Sequence, residues 1–190
     1  MLTGCTATPE RPLRTVDMAW GERQLQLNQL QLWQIEGRIA LRNGEEGGQS
    51  GFHWEYQTER QRFVLSGLLG MGGVELVVNP AVTQLTTPEG VFQGGTASAL
   101  LTGVTGWTFP LEEAIFWVKG LPAEGVAIDS LLLDEHNRLQ HLQQSWWSLE
   151  IRRYRQQGDL QLPELLVLER EQIRIKLKIN RWQVNHEKGE

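Results

Sequence analysis

The sequence predicts a mainly β protein with helices (an α+β fold), in which an antiparallel sheet curls and presents one apolar face. Apolar and polar residues alternate through much of the chain, as they do in strands with one buried face. The strands follow one another without the intervening helices that a parallel sheet requires. About five strands precede a helical middle segment and about five follow it, and an antiparallel sheet of that size is expected to curl.

The N-terminal segment differs in character from the rest of the chain. Residues 1–14 lack hydrophobic periodicity and contain two prolines, which predicts a tether, while residues 15–190 form a single domain. We expect a helix at the start of that domain, with Thr15 as its N-cap. Its buried stripe would consist of residues at helical spacing: Val16, Trp20, Leu27 and Leu30.

Beyond this helix the period of the apolar pattern changes to two. The first strand places five residues on one side: Trp33, Ile35, Gly37, Ile39 and Leu41. A glycine-rich turn separates it from a partner strand with alternating aromatic residues: Phe52, Trp54 and Tyr56. Three further strands are predicted near residues 63–66, 74–78 and 82–85.

The middle of the chain is predicted to be helical over residues 96–106 and again from Pro110, which suits the first turn of a helix. Gly120 and Pro122 end that second helix. Strands then resume, with alternating patterns at 147–152 and 173–180. The two helical segments are the available material to cover the concave face of the curled sheet.

Composition limits the kind of partner that the protein can bind. The net charge is −5, which argues against nucleic acid because phosphates require a basic face. Eight tryptophans are present, and tryptophan favours cavity walls, interfaces and membrane edges, although it also simply fills cores. The only cysteine, Cys5, permits no disulfide within the chain, and no segment is long and apolar enough to span a bilayer.

No catalytic or metal-binding motif is present in the sequence. His136 and His141 are five residues apart and lack the spacing of a helical metal pair. Glu112 and Glu113 are adjacent, so their side chains diverge on a helix and cannot cooperate as acid and base. There is no nucleophile elbow, P-loop or dinucleotide fingerprint. We therefore predict a protein that is not an enzyme and has no cofactor or metal.

The segment Gly67-Leu-Leu-Gly-Met-Gly-Gly73 places three large apolar residues on a loop between two predicted strands: Leu68, Leu69 and Met71. A phosphate cradle would need a helix after the glycines, and a strand follows instead. Exposing three such side chains to water is unfavourable unless something covers them. Either the loop folds back onto the core, or it protrudes and contacts a membrane or a partner.

Several segments, in order, resemble a known family. They are Leu2-Thr-Gly-Cys5, Trp33-Gln-Ile-Glu-Gly-Arg-Ile-Ala-Leu41, Phe52-His-Trp54, Gly67-Leu-Leu-Gly70, Gly106-Trp107 with Pro110, Trp117-Val-Lys-Gly-Leu-Pro122, and Ile173-Arg-Ile-Lys-Leu-Lys-Ile179 with Trp182. The first looks like a bacterial lipobox, the site at which a cysteine is lipidated. Together they resemble the outer-membrane lipoprotein receptor LolB of Gram-negative bacteria over nearly the whole chain.

This resemblance implies an open, strongly curved antiparallel β half-barrel whose mouth is covered by helices. It implies a monomer, lipid-anchored through Cys5 and facing the periplasm, that accepts lipoproteins from the carrier LolA. Their acyl chains would be shielded in an apolar cavity and then inserted into the inner leaflet of the outer membrane. Leu69, with Leu68 and Met71 beside it, matches the loop position that the family needs for membrane insertion.

The inward-facing positions of the predicted strands and helices supply the candidate acyl-chain cavity. These candidates are Trp33, Ile35, Ile39, Leu41, Phe52, Trp54, Trp117, Trp147, Leu149 and Ile175. Parity along a strand gives the face that these residues share but does not distinguish lining a cavity from filling a core. Two alternatives therefore stay open: a structural envelope lipoprotein with a filled core, and a lipid-modifying hydrolase.

Overall fold

A computed structural model describes residues 19–67 and 73–184 of the chain. The first half contains one helix and six strands: α1 (Trp20–Asn28), β1 (Leu32–Asn43), β2 (Glu46–Gln57), β3 (Arg60–Ser66), β4 (Gly73–Asn79), β5 (Val82–Thr87) and β6 (Gly90–Gln93). Two helices follow, α2 (Ala97–Thr105) and α3 (Leu111–Trp117). The second half contains five strands: β7 (Ile128–Leu133), β8 (Leu139–Gln144), β9 (Trp147–Gln157), β10 (Leu160–Arg170) and β11 (Ile173–Val184).

All these strands form one antiparallel sheet in the order β6-β5-β4-β3-β2-β1-β11-β10-β9-β8-β7. The sheet therefore consists of two meanders that join where β1 pairs with β11. Strands β6 and β7 are its two edges and do not pair with each other, so the sheet stays open. The predicted class, a curved antiparallel half-barrel with helices, is confirmed.

The path of the chain explains where the helices lie. After β6 the chain has to travel from one edge of the sheet to the other before β7 can begin. The segment that makes this crossing contains α2 and α3, and α2 packs against β4, β5 and β6. The order of the strands therefore places both helices on the segment that crosses the open side of the sheet.

Over most of the sheet, one face is apolar and covered and the other is polar; β10 is the exception, because Leu165–Leu168 is buried on both faces. Strand β11 illustrates this alternation, because Ile175, Leu177 and Ile179 are buried while Lys176 and Lys178 are exposed. The inward residues of the strands and of the helices make one continuous apolar core. That core occupies the space between the sheet and the helices.

The first helix and the strand count differ in part from the sequence-based expectation. Helix α1 begins at Trp20 with Ala19 as its N-cap, so Thr15 does not cap it; Thr15 and Val16 lie outside the described residues. Leu30 is buried as expected but follows the end of the helix. A sixth strand, β6, was not expected in the first half. It has only four residues, which is too short for a clear alternating pattern.

Strand pairing is irregular at the centre of the sheet. The register between β1 and β11 shifts between Glu36 and Gly37, which leaves Asn180 as the extra residue of a β-bulge. Bulges bend the bulged strand and increase its twist. Gly37 sits at this bulge because a Cβ there would overlap the backbone carbonyl of Lys178.

We predict that Gly37→Ala lowers the free energy of unfolding by on the order of 2 kcal/mol, because a methyl group forces apart the backbones of β1 and β11. Urea denaturation measures the change. Gly51→Ala on β2 is the matched control, since its Cβ would meet nothing closer than 3.8 Å. Equal stability of the two variants would contradict a close backbone approach at Gly37.

Candidate functional site: a helix-covered apolar core

A row of aromatic side chains runs along the inner face of the sheet. The ring of Trp33 stacks on Tyr56 at 5.2 Å between centroids and meets the edge of Trp54 at 5.3 Å. Trp54 in turn contacts Phe63 at 5.2 Å. Neighbouring strands in register place these rings side by side, because Trp33 pairs with Tyr56 and Trp54 with Phe63. The result is a broad apolar floor across β1, β2 and β3.

The segment between α2 and α3 lies against this aromatic floor. Phe109 stacks on Phe63 with ring centroids 5.5 Å apart and also contacts Trp54 at 6.1 Å. Phe109 is buried, as is Leu111 at the start of α3. The contact between this part of the cover and the sheet is therefore apolar and carries no directional hydrogen bond between the rings.

Helices α2 and α3 are tied to each other by polar contacts. The backbone N–H of Ser98 donates to Glu112 Oε1 at 3.0 Å, and the Ser98 hydroxyl donates to the other oxygen of that carboxylate. The backbone N–H of Leu111 donates to Ser98 Oγ at 2.8 Å. Because these bonds satisfy free N–H groups at the starts of both helices, the two helices form one covering unit.

Gln144 makes the main polar connection between the cover and the sheet. It is fully buried at the end of β8, and its Oε1 accepts hydrogen bonds from Trp117 Nε1 at 3.1 Å and from the Ala123 N–H at 2.8 Å. Its Nε2 donates to the carbonyls of Ala123 and Val126. One amide thus fastens α3 and the chain after it to the second half of the sheet.

Helix α1 is attached to β10 of the sheet through Arg23. The guanidinium of this buried arginine donates to the backbone carbonyl of Gln161 and lies 5.5 Å from the ring centroid of Tyr154. Burial lowers the pKa of Arg23, and burial raises the pKa of Tyr154. Arg138 stacks on the same ring at 4.5 Å, so Tyr154 contacts two cations.

A buried cation lies just beyond α3. The side chain of Lys119 is buried, and its ammonium lies 5.5 Å from the ring centroid of Phe116. Burial lowers the pKa of Lys119, and the charge of Glu124 partly opposes this shift. Its neutral form is therefore easier to reach than that of an exposed lysine.

A cavity of about 270 Å³ lies where the C-terminal part of α2 meets the sheet. It is lined by residues of β4, the β5–β6 hairpin and the end of α2: Val74, Thr87, Glu89, Phe92, Val104 and Thr105. Val74 follows directly on Gly73, where β4 begins. This opening beneath α2 therefore adjoins the connection between β3 and β4.

All ten candidate cavity residues are buried and belong to one apolar cluster. Trp33, Trp54 and Trp117 are among its largest fully buried side chains. The indole N–H of Trp33 is buried without a hydrogen-bond partner. The structure thus brings nine of the ten residues together on the covered face of the sheet, and Trp117 of α3 belongs to the same cluster. Cys5 and the loop residues Leu68, Leu69 and Met71 lie outside the described residues.

Several core residues were missing from the sequence-based list. Phe63 falls at an inward position of β3, so the same parity rule could have found it. Trp182 lies beyond the β-bulge at Asn180, which shifts the alternation of β11, so that rule would have placed Trp182 on the outer face. Phe109 belongs to neither helix nor strand, and no periodic signal marks it. Gln144 was missed because a buried glutamine inside an apolar pattern is indistinguishable from a solvent-facing one in the sequence.

Within residues 19–67 and 73–184, no group of three or more His, Cys, Asp and Glu side chains could hold a metal ion. None of the helices in that part of the chain is long and apolar enough to cross a membrane. His53, on the polar side of β2, is paired with Glu55 at 2.7 Å.

Known structures with a similar architecture define the fold class. A putative outer-membrane lipoprotein-sorting protein domain from Vibrio parahaemolyticus matches 90% of this chain and 92% of its own, with a TM-score of 0.52 and 11% identity. A LolA superfamily protein from Nitrosomonas europaea matches 88% of this chain and 94% of its own, with a TM-score of 0.53 and 5% identity. The open sheet with covering helices is therefore the LolA-like fold.

Sequence relatives identify the family within that class. The sequence model of the LolB family, described as "Outer membrane lipoprotein LolB", matches residues 31–182. The protein named outer-membrane lipoprotein LolB of Chromohalobacter salexigens is 31% identical over 97% of this chain and 86% of its own length. Its namesake in Pseudomonas aeruginosa is 33% identical over 86% of this chain and 80% of its own. The chain belongs to the LolB family, as the ordered segments predicted.

We predict that Gln144→Met lowers the free energy of unfolding by roughly 3 kcal/mol. The change keeps the volume but leaves the Trp117 indole and the Ala123 and Val126 backbone groups without partners. Urea denaturation measures the loss, and Gln143→Met, at the exposed neighbouring position, is the control. If both variants were equally stable, Gln144 would not be the fastening point.

Proposed function

We propose that this protein is an outer-membrane lipoprotein receptor that accepts lipoproteins from the carrier LolA, shields their acyl chains and releases them into the outer membrane. The acyl chains would lie between the inner face of the sheet and the covering helices. The observation that carries this proposal is the continuous apolar core between an open sheet and helices that few polar contacts hold in place. Membership of the LolB family supports it.

The physical requirement is to keep several acyl chains out of water during the transfer. A chain of roughly 15 methylenes exposed to water is unfavourable by on the order of 12 kcal/mol, at about 0.8 kcal/mol per methylene. An apolar face without specific polar contacts can meet this requirement for chains of any detailed structure. Since transfer must also be completed by release, non-directional contacts suit a temporary site.

The apolar core is packed in this structure, so the covering helices must move away from the sheet before acyl chains can enter. The cavity beneath α2 supports an opening at that position, because it already separates the end of α2 from β4 and β6. We infer that acyl chains enter there and displace α2 from β4, β5 and β6 and Phe109 from the aromatic floor. This exchange replaces one set of apolar contacts with another and breaks no hydrogen bond between Phe109 and Phe63.

Nine of the ten residues predicted from the sequence as cavity residues lie on the sheet and are then the surface that receives the acyl chains once the helices move, while Trp117 lies on α3. Their burial in a single cluster supports this assignment. The same packing also favours the alternative of a structural envelope lipoprotein with a permanently filled core. Binding of a fluorescent apolar probe separates the two, because a permanently filled core takes up none.

We expect Val104→Trp to reduce uptake of a fluorescent fatty-acid probe at least severalfold, because a larger side chain on α2 fills the cavity beneath it. Probe titration followed by fluorescence measures the effect. Val91→Trp is the matched control, since Val91 is an exposed valine on β6. Undiminished uptake by Val104→Trp would place the acyl opening elsewhere.

The apolar segment between β3 and β4 is the proposed point of delivery to the bilayer. We expect Leu69→Glu to leave folding and acceptance of cargo intact but to block delivery of lipoprotein to liposomes, because a carboxylate resists entering the hydrocarbon region. Leu69→Val is the control that keeps an apolar side chain. Transfer from loaded LolA and release to liposomes are assayed separately. Normal delivery by Leu69→Glu would refute this role for the segment.

A further inference from the structure

Trp146 is the most exposed large apolar residue among those that the structure describes. Its side chain is 88% exposed, whereas the other described tryptophans of the strands and of α3, among them Trp147, are buried. Gln144 pairs with Trp147, so Ser145 and Trp146 form the two-residue loop at the tip of the β8–β9 hairpin. The indole is thus presented at the tip of a hairpin, where no part of the described core covers it.

The backbone of this turn is held in an unfavourable conformation. Both loop residues have positive φ angles, 54° at Ser145 and 64° at Trp146. Turns of this kind strongly prefer Asn and Gly, because other side chains lose about 1–2 kcal/mol in the left-handed region. A tryptophan at this position therefore lowers the stability of the turn and brings no burial in return. Strain of this kind is typical of functional positions.

The position of the hairpin tip within the sheet adds an independent argument. Following the antiparallel pairing from strand to strand, the β8–β9 turn lies at the same end of the sheet as the connection between Ser66 and Gly73. Under the proposed function, that connection delivers cargo to the bilayer. Trp146 and the β3–β4 connection would then approach the membrane from two sides of one rim, with four strands (β2, β1, β11 and β10) between them in the order of the sheet.

The surroundings of Trp146 indicate the charge of the surface that it meets. A groove of about 720 Å³ beside it contains Val126 and Trp146 together with three carboxylates and one arginine: Asp129, Glu169, Glu171 and Arg170. Glu169 is also paired with Arg174 at 2.7 Å, so the groove keeps a small excess of negative charge, which disfavours an anionic surface. Tryptophan itself favours the headgroup region of a bilayer, where its ring is buried and its N–H stays hydrated.

We propose that the Ser145–Trp146 turn is a membrane anchor that inserts Trp146 into the headgroup region of an electrically neutral phospholipid bilayer. This proposal rests on the proposed function for the orientation of the protein but concerns a contact made by the empty protein itself. Two contacts on opposite sides of the rim fix the tilt of the sheet, so that the opening beneath α2 faces the membrane. A single contact would leave the protein free to rotate about it.

The test compares the empty wild-type protein with Trp146→Asn in binding to phosphatidylcholine vesicles. Asparagine removes the indole and accepts the left-handed backbone, so the variant should unfold at a higher urea concentration than wild type while binding vesicles about tenfold more weakly. Leu25→Gln is the matched control: Leu25 is 70% exposed on α1, which leads into β1 at the opposite end of the sheet. Its vesicle binding should equal that of wild type.

Fluorescence provides a second readout. The difference between wild-type and Trp146→Asn emission reports Trp146 alone. When vesicles are added, this emission should shift to shorter wavelength and be quenched by lipids brominated close to the headgroup. Equal vesicle binding by wild type and Trp146→Asn would overturn the proposal, as would no vesicle binding by wild type or an equal loss in Leu25→Gln. Transfer from loaded LolA in solution should be unchanged in Trp146→Asn. If the wild-type protein accepted no lipoprotein from loaded LolA, the proposed function itself would be refuted.

Discussion

The structure depends on one constraint: an open sheet of eleven strands presents an apolar face that water cannot be allowed to cover. A closed barrel would hide that face inside itself, but this sheet ends at β6 and β7 without joining them. The chain has to cross from one edge to the other, and α2 and α3 lie on the crossing segment. The cover of the core is therefore a consequence of the order of the strands.

The way in which the covering helices are attached to the sheet determines how readily they can be displaced from it. Their polar connections are few and concentrated, chiefly Gln144 below α3 and Arg23 on α1. Elsewhere, as between Phe109 and Phe63, the contacts are apolar and have no directional bond that must be broken. Such contacts can be exchanged for contacts with an acyl chain at little net change in free energy, provided that the exchange excludes water.

Much of this arrangement was predictable from the sequence, and the failures have physical reasons. Strand β11 alternates strictly because one of its faces is wet, so periodicity found it. Strand β10 was not located, since Leu165–Leu168 is buried on both faces and Pro163 interrupts the run. Parity placed nine strand residues on the covered face, but parity gives direction only. It could not predict that Phe109, in an irregular segment, would lie on Phe63, because that contact is made by the fold.

The most direct test of the central claim locates the acyl chain in the loaded protein. A lipoprotein carrying a photoactivatable acyl chain is transferred from LolA to this protein, irradiated, and mapped by mass spectrometry of the labelled peptides. If acyl chains lie between the sheet and its helices, labels are expected on α2, on the segment containing Phe109, and on the inward residues of β1–β4. Labels confined to the outer face of the sheet, or cargo that stays on LolA, would contradict that claim.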